Sequence, residues 1–123
     1  MILNKIPTVF IPVVDLKKSV KWYSEVFGFN LDFEQWEQID SLPVYTFAMD
    51  SSYLTLDANI AAQGEFKPSK YPLCNIACQS ISEVWDRFGQ LGVERIDKIT
   101  SFPNLSFFNF KDPDGNVLMM CSE

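Results

Sequence analysis

Histidine is missing from this chain of 123 residues. The imidazole is the side chain that titrates nearest neutral pH, the commonest metal ligand and the most frequent general base. Its absence excludes every triad built on a histidine base and every zinc site of the usual histidine-rich kind. Basic charge is also scarce: 10 Lys and Arg stand against 16 Asp and Glu, for a net charge of −6 and a pI near 4.5. That balance argues against a nucleic-acid or anionic-membrane surface and favours a neutral or cationic partner. No apolar run approaches the ~20 residues needed to span a bilayer. The stretch from Met1 to Val14 lacks the charged region and cleavage site of a signal peptide. Cysteine is limited to Cys74, Cys78 and Cys121, an odd number that suits a reducing compartment, so a cytoplasmic location is expected. On one strand Cys74 and Cys78 would stand roughly 13 Å apart, too far to bridge or share a metal. All three read as small buried hydrophobes.

What is present is apolar and aromatic. Hydrophobic residues make up 47% and aromatics 15%, with 11 phenylalanines, enough for one sizeable core at a length typical of a single domain. Thr8 to Val14 is rich in β-branched and apolar residues and reads as a buried strand. Asp15 then offers an N-cap, Leu16, Val20, Tyr23 and Phe27 recur at helical spacing, and Gly28 supplies a C-terminal stop.

The same grammar returns about 65 residues later. Leu73 to Cys78 reads as a short strand, and Ser80 to Glu83 has the form of a capping box. Ile81, Trp85, Phe88 and Leu91 make the apolar stripe, and Gly92 ends the helix. Three strand-like stretches follow each helix: Phe29 to Glu37, Pro43 to Met49 and Ser52 to Asp57, then Glu94 to Thr100, Leu105 to Lys111 and Asn116 to Cys121. Turn residues at Asp50 to Ser52 and at Asp112 to Asn116 occupy matching hairpin positions. The segment from Ala58 to Pro72, with Gly64 and Pro68 inside it, reads as a linker (58–72) between modules at about 1–57 and 73–123. Each module is thus β-α-β-β-β, and halves of about sixty residues would be marginal alone, so the two are expected to form a single domain.

The run Asp15-Leu16-Lys17-Lys18-Ser19-Val20-Lys21-Trp22-Tyr23, continuing to Phe27-Gly28-Phe29, resembles the first module of the glyoxalase/bleomycin-resistance/dioxygenase superfamily, the vicinal oxygen chelate fold. Asp112-Pro113-Asp114-Gly115-Asn116 before a terminal apolar strand is similar to its second module. The resemblance covers essentially the whole chain. It implies an α+β fold in which two tandem β-α-β-β-β modules form a curved mixed sheet around a cavity. Enzymes of the family hold a divalent metal there, and the resemblance carries the four ligand positions onto Thr8, Thr55, Asn75 and Met119. None of these side chains is a good metal ligand. Neither metal nor cofactor is therefore expected, unless a relocated site draws on Asp57, Cys121 and Glu residues, with Asp57 and Cys121 put by strand alternation on the faces of Thr55 and Met119.

If Thr8 and Asn75 face the cavity, alternation brings Phe10, Pro12, Tyr53, Val117 and Cys121 toward it. Such a pocket is apolar and aromatic with a few groups to orient a ligand, the usual make-up of a small-molecule site. The same residues would also suit a filled core. On the stretch read as the second strand, Asp32 and Glu34 share a face with Trp36, a place for a cationic, planar ligand; a solvated rim is the plainer reading. The candidate ligand-binding residues are Thr8, Phe10, Trp36, Tyr53, Thr55, Asn75, Met119 and Cys121, and no catalytic residue is assigned. Three functions stay open: a metal-independent binding protein for a cationic or aromatic small molecule, a superfamily enzyme with Asp57 as base or Cys121 as nucleophile, and an interaction module with a vestigial cavity. The first is preferred. Resemblance further implies a homodimer, and the acidic balance leaves neither nucleic acid nor membrane expected as partner.

Overall fold

The computed structural model describes residues 1–122. The chain divides into two compact units, Met1–Lys67 and Pro68–Glu123.

In the first unit, β1 (Thr8–Pro12) leads into α1 (Leu16–Phe27). The Asp15 carboxylate accepts the Lys18 N–H at 3.1 Å, satisfying one of the free donors of the first turn. Leu16, Val20, Tyr23 and Val26 bury one stripe, with Val20 and Tyr23 fully enclosed. Gly28 ends the helix at φ 75°, a left-handed conformation that glycine adopts without steric cost, and its N–H reaches Ser24 O at 2.9 Å.

The next segment departs from the sequence expectation. Phe29 to Glu37 forms no strand; Phe33–Gln38 is a short helix, α2, followed by a 3-10 turn at Ile39–Ser41. The cause is local. Asp32 Oδ1 accepts the N–H groups of Glu34 (3.0 Å) and Gln35 (3.4 Å), so a capped first turn wins over a strand whose alternating face was never cleanly apolar. None of the α2 residues is buried, and Ile39 at 0% exposure anchors the segment.

β2 (Val44–Ala48) and β3 (Tyr53–Asp57) then form a hairpin, closed by Met49 N–H to Ser52 O at 2.9 Å. β3 pairs with β2 antiparallel and with β1 parallel, giving a three-stranded mixed sheet in the order β1-β3-β2. Ile11, Tyr45, Phe47, Leu54 and Leu56 are buried on one face, each contributing roughly 1.5–3 kcal/mol of burial. Phe29 stacks on Phe47 with centroids 4.6 Å apart, and Phe27 and Tyr23 continue this aromatic cluster. Where the sequence reads as linker, a single turn of helix, α3 (Asn59–Ala62), begins under Asp57 Oδ1, which accepts the Asn59 N–H at 2.8 Å.

In the second unit, β4 (Asn75–Ala77) is shorter than the stretch read as a strand, although Leu73 and Cys78 also bond to the neighbouring strand, through Val117 O and Cys121 O. α4 (Ile81–Leu91) is capped by Ser80 Oγ, which accepts the Glu83 N–H at 3.4 Å. β5 (Arg95–Phe102), β6 (Leu105–Lys111) and β7 (Val117–Ser122) complete a four-stranded mixed sheet in the order β4-β7-β6-β5. Trp85 and Phe88 of α4 meet Phe108 edge-on, and Phe88 also meets Phe110. Arg95 lies over Trp85 (4.4 Å to the ring) and donates to its carbonyl at 3.1 Å.

The turn from Asp112 to Asn116 is a clamp. Asp112 Oδ1 accepts the N–H groups of Asp114 and Asn116, both at 2.9 Å, while Oδ2 accepts the Asn116 side-chain amide at 3.0 Å. Asp112 and Asn116 are 5% and 0% exposed, so the two Asn116 donors have no water to fall back on. The motif explains a turn and needs no ligand.

Candidate functional site

The strand period of two leaves one face of the first sheet free of α1. Thr8 and Phe10 of β1, Thr46 of β2, and Tyr53 and Thr55 of β3 share it, because Thr55 stands opposite both Phe10 and Thr46. Thr55 is the hub: its Oγ1 lies 2.8 Å from Thr8 Oγ1 and 3.0 Å from Thr46 Oγ1. Thr8 Oγ1 can also donate to Tyr53 O at 3.2 Å. If Thr8 donates to that carbonyl, Thr55 donates to Thr8 and Thr46 to Thr55, and spare lone pairs remain at the open end of the chain. Rotating the hydroxyls reverses its direction and turns Thr46 outward as a donor. The cluster thus offers either polarity from one geometry. Thr55 is buried, whereas the flanking rings of Phe10 and Tyr53 are 58% and 51% exposed.

One further candidate of this unit holds a different position from the one expected. Trp36 is on α2, not on a strand, and its ring receives the Lys17 ammonium at 5.0 Å from the centroid. The cation on that tryptophan comes from the chain itself, and the Asp32 carboxylate is engaged as the α2 cap. Asp57, considered as a base or metal donor, binds the start of α3.

In the second unit Asn75, Met119 and Asn109 stand in one row across β4, β7 and β6, with Ala77, Cys121 and Phe107 in the next. Asn75 is exposed and Cys121 buried. Asn109 Oδ1 is buried without a hydrogen-bond partner. The backbone sets the repeat: Val13 N–H bonds to Asp57 O as Cys78 N–H bonds to Cys121 O. Asn75 is therefore the counterpart of Phe10, and Leu73 that of Thr8, a shift of two residues from the sequence pairing of Thr8 with Asn75. Thr46 and Asn109, which the sequence reading passed over, occupy equivalent places. The signal for Thr46 was present in the alternation of Val44, Thr46 and Ala48 with Tyr45 and Phe47, but it needed the hairpin register to put it beside Thr55.

Two of the thiols, Cys74 and Cys78, are not poised for chemistry. Burial pushes the Cys74 thiol up to about 11. Burial, and secondarily the neighbouring Cys121 thiol, raises Cys78 above its ordinary value. Neither is a thiolate at neutral pH, the form a nucleophile or metal ligand requires. All three cysteines are free.

Paired modules with a mixed sheet and a helix in each, the second closing on an Asp-Pro-Asp-Gly-Asn turn, define the class to which this chain conforms. It belongs to the Glyoxalase/Bleomycin resistance protein/Dioxygenase superfamily, whose family model matches residues 5–120. Similar crystal structures include a member of that superfamily from Sphaerobacter thermophilus, with TM-score 0.79, 21% identity and 98% of each chain covered. The fosfomycin resistance protein FosX of Listeria monocytogenes is similar at TM-score 0.72 and 13% identity over 99% of this chain and 95% of that one. A lactoylglutathione lyase from Agrobacterium tumefaciens matches at TM-score 0.68 and 18% identity over 97% and 93%. At these identities the likeness is one of fold. No curated protein matches the chain.

The metal that enzymes of this fold hold does not suit the residues present. Thr8 and Thr55 are neutral hydroxyls committed to each other, Asn75 offers an amide and Met119 a thioether. Among the described residues no three His, Cys, Asp or Glu side chains group so as to hold a metal ion. No described helix is long and apolar enough to cross a membrane.

Proposed function

We propose that the chain binds a small molecule on the open face of its first sheet, with hydroxyl groups doing the orienting that a metal does elsewhere in the superfamily. The observation that carries this reading is the Thr8–Thr55–Thr46 hydroxyl chain between two exposed rings. A mostly apolar, aromatic surface with a few convergent polar groups is the ordinary composition of a ligand site. Two rings with large exposed area favour an aromatic ligand, and a net charge of −6 favours a neutral or cationic one. The ligand is a planar compound carrying one hydrogen-bonding group, bound without chemical change, since no acid, base or nucleophile stands in the hydroxyl cluster. Sequestration in the cytoplasm by a dimeric form of the chain is the setting this reading implies.

The test is a thermal-shift screen of cationic and neutral aromatic compounds and of divalent metals, with elemental analysis of protein purified without chelators. A ligand at a hundred times its dissociation constant stabilises the fold by about 2.7 kcal/mol. That stabilisation is expected to disappear in Thr55→Val and Phe10→Ala variants. Stoichiometric metal, or stabilisation by nickel, zinc or manganese, overturns the proposal.

A further inference from the structure

The two sheets differ by one strand. In the second unit the outer side of β6 is covered by β5, whereas β2, the corresponding strand of the first unit, has no strand paired on its outer side. The segment that would have supplied the missing strand is the one Asp32 folds into α2. The consequence lies in the backbone of β2. Met49 with Ser52 and Pro43 with Ala58 bond across the hairpin, so the bonded pairs fall on odd-numbered residues of β2, and Tyr45 and Phe47 turn their amides toward β3. Val44, Thr46 and Ala48 turn theirs outward. Among the described residues no hydrogen bond reaches these outward N–H and C=O groups.

A groove of about 410 Å³ runs along this edge, lined on one side by Tyr45, Thr46, Phe47 and Ala48 and on the other by Gly28, Phe29, Asn30, Asp32 and Gln35. A strand needs to lie only ~4.8 Å from its neighbour, and three alternate residues span about 13 Å. A row of unpaired backbone groups beside an open groove is a template for another extended chain.

Charge distinguishes the possible occupants. From Trp22 to Phe66 the chain has eight of its 16 acidic residues and neither lysine nor arginine. Asp32 lines the groove, Glu34 and Glu37 follow on α2, and Asp50 stands in the turn just beyond Ala48. A second copy meeting edge to edge would set this acidic margin against itself, whereas a basic segment is drawn to it. The geometry points to the free edge of β2 as a docking site for an extended, lysine- or arginine-bearing peptide segment of another protein, which adds as the fourth strand of the first sheet. This uses the backbone of β2, whereas the proposed small-molecule site uses side chains of the sheet face; Thr46 belongs to both.

The test uses the full chain and three fluorescein-labelled hexapeptides: one alternating lysine and valine, its glutamate–valine counterpart, and the lysine peptide with alternate amides N-methylated. Fluorescence anisotropy is expected to show binding of the lysine peptide alone, weakening as salt rises. N-methylation removes the strand hydrogen bonds while keeping the charge, and should weaken binding by about tenfold or more. Ala48→Pro deletes one outward N–H at an edge position that tolerates proline, and should weaken the lysine peptide similarly while leaving the circular dichroism unchanged. Equal binding of the N-methylated peptide reduces the site to an acidic patch and overturns the proposal, a result that stands even if the proline variant fails to fold. Absence of binding at millimolar peptide overturns it as well. A concentration-dependent dimer in sedimentation, abolished by Ala48→Pro, assigns the edge to a second copy instead.

Discussion

The hydroxyl oxygens of Thr8 and Thr55 stand 2.8 Å apart across the parallel pair β1 and β3, and Thr46 joins the same Thr55 oxygen from the antiparallel side at 3.0 Å. Thr55 is 5% exposed, so its partners are the other two hydroxyls rather than water. Replacing it with valine keeps the shape and deletes the hub. Thr55→Val is expected to lower stability in urea unfolding by about 1–2 kcal/mol, whereas Thr46→Val, at the exposed end of the chain, should cost less than about 0.5 kcal/mol. Equal costs would mean that the three hydroxyls do not act through a shared centre.

Asp112, itself buried, serves three donors, two of them backbone N–H groups and two of them on the buried Asn116. Asp112→Ala should destabilise the fold by about 3 kcal/mol, since each buried donor left unmatched carries its full desolvation cost. Chemical denaturation followed by tryptophan fluorescence measures this. A loss below about 1 kcal/mol would show that the turn holds without its carboxylate.

Gly28 is left-handed at φ 75°, and a Cβ built on it would meet nothing within 4 Å. Any penalty for alanine is therefore backbone strain alone. Gly28→Ala is expected to cost about 1–2 kcal/mol in thermal unfolding, and Gly28→Asn distinctly less, since asparagine tolerates this conformation better.

Cys74 binds its proton more tightly folded than unfolded, with its pKa pushed from 9.0 to about 11 by burial. The sign follows directly. Below pH 9 the thiol is neutral in both states and stability is unaffected, whereas between pH 9 and 11 the unfolded chain ionises first and stability falls. The loss should reach on the order of 1–2 kcal/mol by pH 11. Cys74→Ala should remove this part of the alkaline decline, and Cys74 should resist iodoacetamide at pH 8. Rapid alkylation there would show an open thiol.

Much of this architecture could be read from residue order because its signals are local. Asp15 and Ser80 cap the helices, Gly28 and Gly92 end them, and strict alternation marks β2 and β3. The misreading at Phe29 to Glu37 came from the same kind of rule: a lone Asp32 cap outweighed an alternation that lacked a clean apolar face. Trp36 followed that error, since its partner Lys17 is one residue past the start of α1 and only the packing of α2 beside α1 brings them together.

Residue order alone determined the duplicated frame and the missing histidines, and from these came the expectation that Thr8, Thr55, Asn75 and Met119 stand where the family's ligands do. Those are properties of residue types at set distances along the chain. Tertiary structure decided what took their place. Strand register, settled by pairing between residues some 45 positions apart, joined Thr8 and Thr55 and set Asn75 opposite Met119, while the β2–β3 hairpin added Thr46. It also left the outer edge of β2 open. A side chain's face follows from a period of two, but its neighbours across a sheet depend on which strands pair and at what offset, and that choice is made by the burial of the whole core.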